Sequence, residues 1–370
     1  MNFRERLFGQ KDIMSIGFAN LFGSGIAAIF WFYIASSLGP EEYGQIRYFL
    51  AIAGMAHLAS LFATPNAITV YVAKNIKIHS TLFFISVISG LVSSLVVFLF
   101  FYRADASLLV LGYIIFELSN GFLLGKKLFS NYAKFLLTQK ILTVVFGLGL
   151  YFAFGVDGII FGLVLSYVPY IWILVKEFKN TRIDFSLLKP RKGFLINNYG
   201  INISGAVGGQ IDKLIIAPLL GFELLGNYSL AMQFLIILLL FPTIVFKYLL
   251  PQVSSGKNTK NLKKISIFVS IGLAAFGIVV LPLIIPVLFP KFIDTTIAIQ
   301  IISVVVIPAT IGIFYETKLL ALEKARFPVI GKCISIVTLV FGFLTLGPIY
   351  GIIGLAVTFV IASFLQTIFV

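Results

Sequence analysis

Six charged residues lie within or close to the ends of long apolar runs, where an ionisable side chain needs a physical reason. They are Arg47, Glu117, Asp212, Lys213, Glu316 and Lys318. A charge at the centre of a bilayer costs about 2.5–3.5 kcal/mol on insertion scales, so such residues usually mark a substrate or ion pathway. We therefore expect these six side chains to line a polar cavity that takes a substrate head group.

Asp212 and Lys213 lie near the middle of their apolar run, after a series of glycines. Gly205, Gly208 and Gly209 precede Asp212 by seven, four and three residues, which puts the carboxylate on a glycine-lined helix face. This face predicts a cavity wall that a bulky head group can approach. The alternative is a close helix–helix contact with Asp212 paired to a neighbouring helix. Because adjacent residues on a helix do not face one another, we expect these two charges not to neutralise each other.

The other four residues each have a structural alternative. Arg47 lies one turn inside its run, where it either faces the cavity or snorkels to the outer interface. Glu117 is predicted to pair with Arg47 or Lys213, in the cavity or as a structural ion pair. Glu316 and Lys318 lie toward the cytoplasmic end of their run, where they line an inward-facing mouth or anchor the interface.

No pattern in the sequence predicts catalysis, a metal site or a cofactor. Residues 121–127 have glycine and lysine, but lack the spacing and the Ser/Thr of a phosphate-binding loop. The loops predicted outside the membrane are too short for a glycosyltransferase or polymerase site. One cysteine and two histidines exclude a Cys-based zinc site and a His-rich metal centre. The sequence therefore predicts a protein that is not an enzyme.

The composition belongs to the membrane class. Hydrophobic residues make up 59% of the 370-residue chain and charged residues 11%, and the mean hydropathy is +1.06. Soluble domains carry about one-quarter charged residues, so a water-soluble chain of this length could not hide so much apolar surface. The net charge of +14 comes from basic residues in short segments between apolar runs, which indicates membrane topology rather than nucleic-acid binding.

About twelve transmembrane helices follow from runs of roughly 20 apolar residues, the length that spans the hydrocarbon core. We place them near 13–37, 44–72, 81–102, 107–126, 135–154, 157–177, 198–220, 226–249, 264–288, 295–320, 328–347 and 350–370. Five prolines interrupt these runs and are candidates for bends: Pro65, Pro169, Pro242, Pro282 and Pro308.

The basic residues orient these helices. With the N-terminus inside, 24 of the 28 Lys and Arg residues, Lys140 among them, fall in or beside cytoplasmic segments. One missed helix would invert every later loop, so this bias supports the helix count. We expect a multi-pass protein of the cell (cytoplasmic) membrane with both termini in the cytoplasm.

The two halves of the sequence repeat each other. A shift of 182 residues aligns residues 20–44 with 202–226 at nine identities in 25 positions, including a Gly-x-Glu-x-x-Gly turn. Six helices separate the copies, so both halves enter the membrane in the same direction. The sequence predicts an N-terminal lobe over 1–177, a cytoplasmic linker over 178–197 and a C-terminal lobe over 198–370. Two parallel lobes are typical of alternating-access transporters.

The Leu-Gly-Pro-Glu-Glu-Tyr-Gly turn at residues 38–44, with Asp212-Lys213 and Leu-Gly-x-x-x-x-Gly-x-Tyr at 220–228, resembles a known family. These are the polysaccharide biosynthesis flippases, O-antigen-type translocases of the multidrug/oligosaccharidyl-lipid/polysaccharide exporter superfamily. The resemblance implies movement of a polyprenyl-pyrophosphate-linked glycan from the cytoplasmic to the outer leaflet, for surface polysaccharide such as lipopolysaccharide. It implies contact with membrane lipid, a bidentate Arg47–pyrophosphate interaction and coupling to H⁺ or Na⁺, or to downstream consumption of the glycan.

Three alternatives stay open. A cation-coupled multidrug exporter of the same superfamily shares the expected fold and would favour an acidic, aromatic cavity. A twelve-helix facilitator of another fold would carry a basic-glycine motif between helices two and three, which residues 73–80 lack. A polytopic enzyme of glycan assembly would need a long outer loop with convergent charges, and the predicted topology leaves no room for one.

Overall fold

The computed structural model describes residues 3–62, 64–254, 258–322 and 326–369, and this part of the chain is helical without strands. The first half contains α1 (Phe3–Ser37), α2 (Pro40–Ser60), α3 (Pro65–Ala73), α4 (His79–Phe101), α5 (Ala104–Gly125), α6 (Phe129–Phe154), α7 (Val156–Ser166) and α8 (Val168–Asn180). A 3₁₀ helix at Phe185–Arg191, the linker helix, leads to α9 (Lys192–Leu220). The second half continues with α10 (Phe222–Leu238), α11 (Leu240–Ser254), α12 (Lys260–Val279), α13 (Leu281–Leu288), α14 (Ile293–Ile302), α15 (Val306–Ala321) and α16 (Arg326–Phe369).

The described helices account for the predicted membrane spans. Eight segments are long and apolar enough to cross a membrane, and ten if the bent pairs α2–α3 and α10–α11 each count as one span. The 44 residues of α16 would extend roughly 66 Å as one helix, about twice the hydrocarbon thickness. Gly351, at φ 56° and ψ −132°, breaks α16 at the boundary between the last two predicted spans. The seventh predicted span falls on α9. The protein is an all-α, multi-pass membrane protein, as predicted.

The five prolines that interrupt the predicted spans all lie where a new helix begins. Pro65 is the first residue of α3, Pro169 and Pro282 are the second residues of α8 and α13, and Pro242 and Pro308 are the third residues of α11 and α15. A backbone N–H in the first turn has no partner within its helix, so a proline there removes no hydrogen bond. Each of these prolines therefore lies at the point where one helix of an interrupted span ends and the next begins.

The chain packs as two compact units, residues 1–32 with 49–210 and residues 33–48 with 211–370. In the first unit, α5 is the most buried of the described spans and packs on α3, α4 and α7. In the second, α14 packs on α10 and α16, and α11 packs on α15. The segment 33–48 from the first half of the sequence thus belongs to the second unit.

Candidate functional site

The two repeat turns, residues 38–44 and 220–226, pack against each other backbone to backbone in the second unit. A Cβ atom added to Gly44 would overlap the carbonyl oxygen of Phe222 and lie 2.8 Å from the backbone nitrogen of Gly226. A Cβ added to Gly226 would overlap the carbonyl oxygen of Pro40. Only glycine permits so close an approach, which explains why the last glycine of the motif occurs in both turns. This contact ties segment 33–48 to the second unit.

Arg47 lies one turn beyond this contact and is held on the same unit. Its Nη2 donates hydrogen bonds to the hydroxyl of Tyr43 and, at 3.1 Å, to Oε1 of Gln233 on α10. The guanidinium also lies over the Tyr43 ring, 4.8 Å from its centroid. Tyr43 is fully buried and packs edge-on against Phe292. The Arg47 side chain therefore extends from α2 to α10 and is half-buried there. Its Nη2 donates to both Tyr43 and Gln233.

Asp212 and Lys213 form a direct ion pair, and the expectation that they would not neutralise each other is wrong. Lys213 Nζ lies 3.0 Å from Oδ1 and 3.2 Å from Oδ2 of Asp212, and the Lys213 backbone N–H donates to Oδ1 at 2.9 Å. Adjacent Cβ atoms diverge on a helix, but a lysine chain is long and flexible enough to fold back over a neighbouring carboxylate. Asp212 is buried, at 6% exposure.

The glycine-lined face before Asp212 is open at its last position. A Cβ added to Gly209 would meet no atom of the described residues within 4 Å. In a tight helix–helix contact, an atom of the neighbouring helix would lie within that distance. The interpretation of this face as a cavity wall stays a prediction. The side-chain environment of Gly205 lies outside the described residues.

Glu117 lies in a polar cavity of the first unit, the N-cavity, with a volume of about 360 Å³. Its polar lining comes from α1, α5 and α6: Asn20, Ser24, Glu117, Asn120, Tyr132 and Lys140. Lys140, counted among the cytoplasmic anchors, instead lines this cavity. A Cβ added to Gly23 would lie 3.3 Å from Lys140 Cγ, so the lysine chain crosses α1 at a residue without a side chain. Glu117 thus shares its cavity with Lys140, whereas Lys213 pairs with Asp212.

Glu316 lines a cavity of the second unit, the C-cavity, with a volume of about 240 Å³. The other polar lining residues are Thr243, Ser363, Gln366 and Thr367. Lys318 is exposed and does not line this cavity, since two residues along a helix turn the side chain by about 200°. Glu316 therefore faces the C-cavity, whereas Lys318 faces away from it.

Sequence reasoning missed Lys140, Tyr43 and Gln233. Lys140 lies within the fifth predicted span, at 135–154, and this position was the signal that it belongs with the intramembrane charges. Tyr43 is part of the first repeat turn. Gln233 has no local signal, because only the packing of α2 on α10 brings it to Arg47.

The fold is that of the multidrug/oligosaccharidyl-lipid/polysaccharide (MOP) transporter superfamily. An inward-facing multidrug resistance MATE transporter superposes with a TM-score of 0.68 at 15% identity, covering 94% of this chain and 92% of that one. The lipid II flippase MurJ, in an inward closed conformation, gives 0.72 at 14% identity, covering 96% and 86%. A MOP transporter from Pyrococcus furiosus, described for the reverse polarity of its binding pocket, gives 0.61 at 14% identity, covering 97% and 93%.

Residues 33–292 match the family of polysaccharide biosynthesis proteins, and the chain belongs to that family. The matched segment begins five residues before the first repeat turn and includes the second, together with Arg47, Glu117, Asp212 and Lys213. No curated protein matches the chain in sequence.

Proposed function

We propose that this protein translocates a polyprenyl-linked oligosaccharide from the cytoplasmic to the outer leaflet of the cell membrane, for surface polysaccharide synthesis. Membership of the polysaccharide biosynthesis family carries the proposal. The N-cavity supports it physically, because a cation, a carboxylate, two amides and a phenol converge there within a unit made of membrane spans. Ionisable groups within membrane spans usually mark a substrate or ion pathway.

In the proposed mechanism, the cations bind phosphate and the neutral polar groups bind sugar. Lys140 attracts the pyrophosphate, while Asn20, Asn120 and Tyr132 exchange hydrogen bonds with sugar hydroxyls. On the second unit, Arg47 offers a planar fork to an anion once its bonds to Tyr43 and Gln233 rearrange. Lys213 is a further cation of that unit, released when an anion competes with it for the Asp212 carboxylate. The polyprenyl tail stays in lipid throughout.

Translocation proceeds by alternating access of the lobes 1–177 and 198–370, with both termini in the cytoplasm. The contact between the repeat turns joins a segment of the first half to the second half at the predicted outer end of α1 and α9. Opening toward the outer leaflet requires this contact to separate. Separation would also expose Leu38 and Tyr43, which are buried in this turn, so the contact resists opening.

A second candidate function is cation-coupled export of organic cations. The observation that favours it is the pair of interior carboxylates, Glu117 in the N-cavity and Glu316 in the C-cavity. Either carboxylate can serve H⁺ or Na⁺ coupling in both candidate functions. Lys140 beside Glu117 favours the anionic substrate, because an ammonium in the cavity repels an organic cation.

Reconstitution tests the proposal. The purified protein is placed in proteoliposomes with a fluorescent polyprenyl-pyrophosphate oligosaccharide, and a membrane-impermeant quencher reports which leaflet holds the label. We expect quenching beyond the outer-leaflet fraction only in vesicles that contain the protein. Absence of translocation, together with pH- or sodium-driven efflux of an organic cation from the same vesicles, would overturn the proposal in favour of the exporter.

A further inference from the structure

An apolar groove of about 680 Å³, the linker groove, lies in the first unit apart from both polar cavities. One wall comes from the first two turns of α4, with Leu82 and Ile85. The opposite wall comes from the linker helix and the start of α9, with Leu188 and Leu195. Lys189 and Lys192 are the charged residues of its lining, and both are exposed. The groove thus combines an apolar floor with two ammonium groups at its surface.

Hydrogen bonds within the first unit fix the walls in place. The Asp184 backbone N–H donates to Thr81 Oγ1 at 2.8 Å, and the same hydroxyl donates to the Asp184 carbonyl at 3.2 Å. These bonds hold the start of the linker helix on α4. Tyr199, which lines the groove from α9, donates its hydroxyl to the Ala59 carbonyl of α2 at 2.5 Å. The groove is therefore preformed, which lowers the entropic cost of filling it.

The two lysines carry charge that the described protein residues do not compensate. Neither Lys189 nor Lys192 has a carboxylate within the 4.0 Å of an ion pair in the described ranges. The nearest acid along the linker, Asp184, accepts hydrogen bonds from the backbone N–H and hydroxyl of Ser186, at 2.9 and 2.6 Å. An anion from outside the chain is the complement that this surface lacks.

We propose that the linker groove binds one anionic phospholipid from the leaflet on the linker side. Lys189 and Lys192 hold the phosphate, and an acyl chain lies along Leu82, Ile85, Leu188 and Leu195. Leu82 and Ile85 are the fourth and seventh residues of α4, roughly 5–9 Å along the helix from its start. This depth matches the upper acyl region beneath a headgroup at the interface. Basic pockets between transmembrane helices recognise anionic headgroups in this way.

The site is independent of the transported substrate, since it shares no lining residue with the N-cavity or the C-cavity. Its wall is the linker helix, which joins the sixth predicted span to the seventh. A bound lipid therefore braces the segment that connects the two halves of the sequence. Anionic lipid is expected to stabilise this segment whether or not a glycan is present.

Native mass spectrometry of the full-length protein in a neutral detergent tests the proposal. Phosphatidylglycerol and phosphatidylcholine with the same acyl chains are titrated, and the bound fraction of each is measured. A basic residue near an anionic headgroup contributes about 1 kcal/mol, so two lysines give roughly a thirty-fold preference for phosphatidylglycerol. We expect the wild type to show this preference and Lys189→Gln/Lys192→Gln to lose it.

Matched variants distinguish lipid binding in the groove from a general attraction of anionic lipid to exposed lysines. Lys176→Gln/Lys179→Gln removes two exposed lysines from α8, close in sequence but outside the groove, and should keep the preference. Leu195→Trp fills the groove with both lysines intact and should weaken the binding of both lipids. Equal loss in the two lysine variants, or an unchanged preference in Lys189→Gln/Lys192→Gln, would overturn the proposal. Displacement of phosphatidylglycerol by equimolar polyprenyl phosphate would assign the groove to the substrate's lipid and overturn it as well.

Discussion

The Lys213 ammonium folds back over the carboxylate of Asp212, its neighbour in sequence, and reaches both oxygens at 3.0 and 3.2 Å. The pair is asymmetric in exposure, because the Asp212 side chain is 9% exposed and the Lys213 side chain 20%. The lysine is thus the member that can leave the pair. Asp212 still accepts the hydrogen bond from the Lys213 backbone N–H when that happens.

Removal of one partner should therefore affect stability more than removal of both charges. Lys213→Ala leaves Asp212 buried and charged, and should lower the free energy of unfolding by about 1–3 kcal/mol. Asp212→Asn/Lys213→Ala removes both charges and should recover most of that loss. Thermal unfolding in detergent measures the difference, and equal stability of the single and double variants would refute a structural ion pair. In the proposed flippase, both variants lose translocation, because both lack the lysine.

Arg47 should tolerate substitution by lysine poorly. Lysine keeps the charge but loses the planar guanidinium that lies over the Tyr43 ring while its Nη2 donates to Gln233. Hydrogen bonds to a charged group contribute about 1.5–3 kcal/mol each, so Arg47→Ala should slow translocation by about tenfold or more, and Arg47→Lys by less. Lys291→Ala removes an exposed cation and serves as the control. Wild-type translocation by Arg47→Ala at normal expression would remove Arg47 from the site.

Lys140 should matter for transport, although the topology rule counts it as an anchor. Lys140→Ala removes the cation from the N-cavity and leaves Glu117 there. We expect translocation of the anionic head group to fall by about tenfold or more, since one charge-assisted contact contributes about 1.5–3 kcal/mol. Lys134→Ala removes an exposed lysine from the same helix and should have no effect. Equal rates for the two variants would exclude Lys140 from substrate binding.

Much of the fold was predictable from sequence, because it depends on properties that hold along a single segment. Apolar length locates the spans, and the helices α3, α8, α11, α13 and α15 each begin at or just before a proline, a residue that the first turn of a helix accommodates without losing a hydrogen bond. The break in α16 was also predictable from the sequence, since a straight helix of 44 residues is longer than the bilayer is thick.

The candidate site was less predictable, because it depends on which helix faces meet. Glu117 and Glu316 each line a cavity, but the side chain of Lys318 does not line the cavity of Glu316. Gln233 reaches Arg47 through packing between α2 and α10, which no local pattern encodes. The Asp212–Lys213 pair depends on a lysine rotamer, and helix periodicity constrains only the direction of the Cβ atoms.

The glycine that ends each repeat turn should be irreplaceable. Gly226→Ala forces a methyl group into the carbonyl of Pro40, and the backbone must move. Overpacking of this kind destabilises by about 1–3 kcal/mol, so the unfolding temperature should fall. Gly39→Ala is the matched control, because a Cβ there meets no described atom within 4 Å. Comparable losses in the two variants would show that flexibility, rather than close approach, is the role of the glycines.

Arg103 should stabilise the start of α5 through one of its two carboxylate partners. It lies 2.7 Å from Asp105, whose side chain is 3% exposed, and 3.1 Å from Asp157, whose side chain is 77% exposed. Arg103→Ala leaves Asp105 buried without its cation and should cost about 1–3 kcal/mol. Asp157→Ala removes only an exposed pair and should cost less than about 0.5 kcal/mol. Thermal unfolding of both variants tests this order, and a larger loss for Asp157→Ala would contradict it.

The meeting of the two repeat turns has a consequence for how such a chain came to exist. Gly44 of the first turn packs against Phe222 and Gly226 of the second, and Gly226 packs against Pro40 of the first. Each copy of the motif is therefore the surface that the other copy contacts. Two identical subunits make this kind of reciprocal, self-complementary contact across a two-fold axis. A six-helix ancestor that dimerised through this turn would already have had the contact before gene fusion. The two glycines at the contact occupy one of the nine positions at which the copies are still identical.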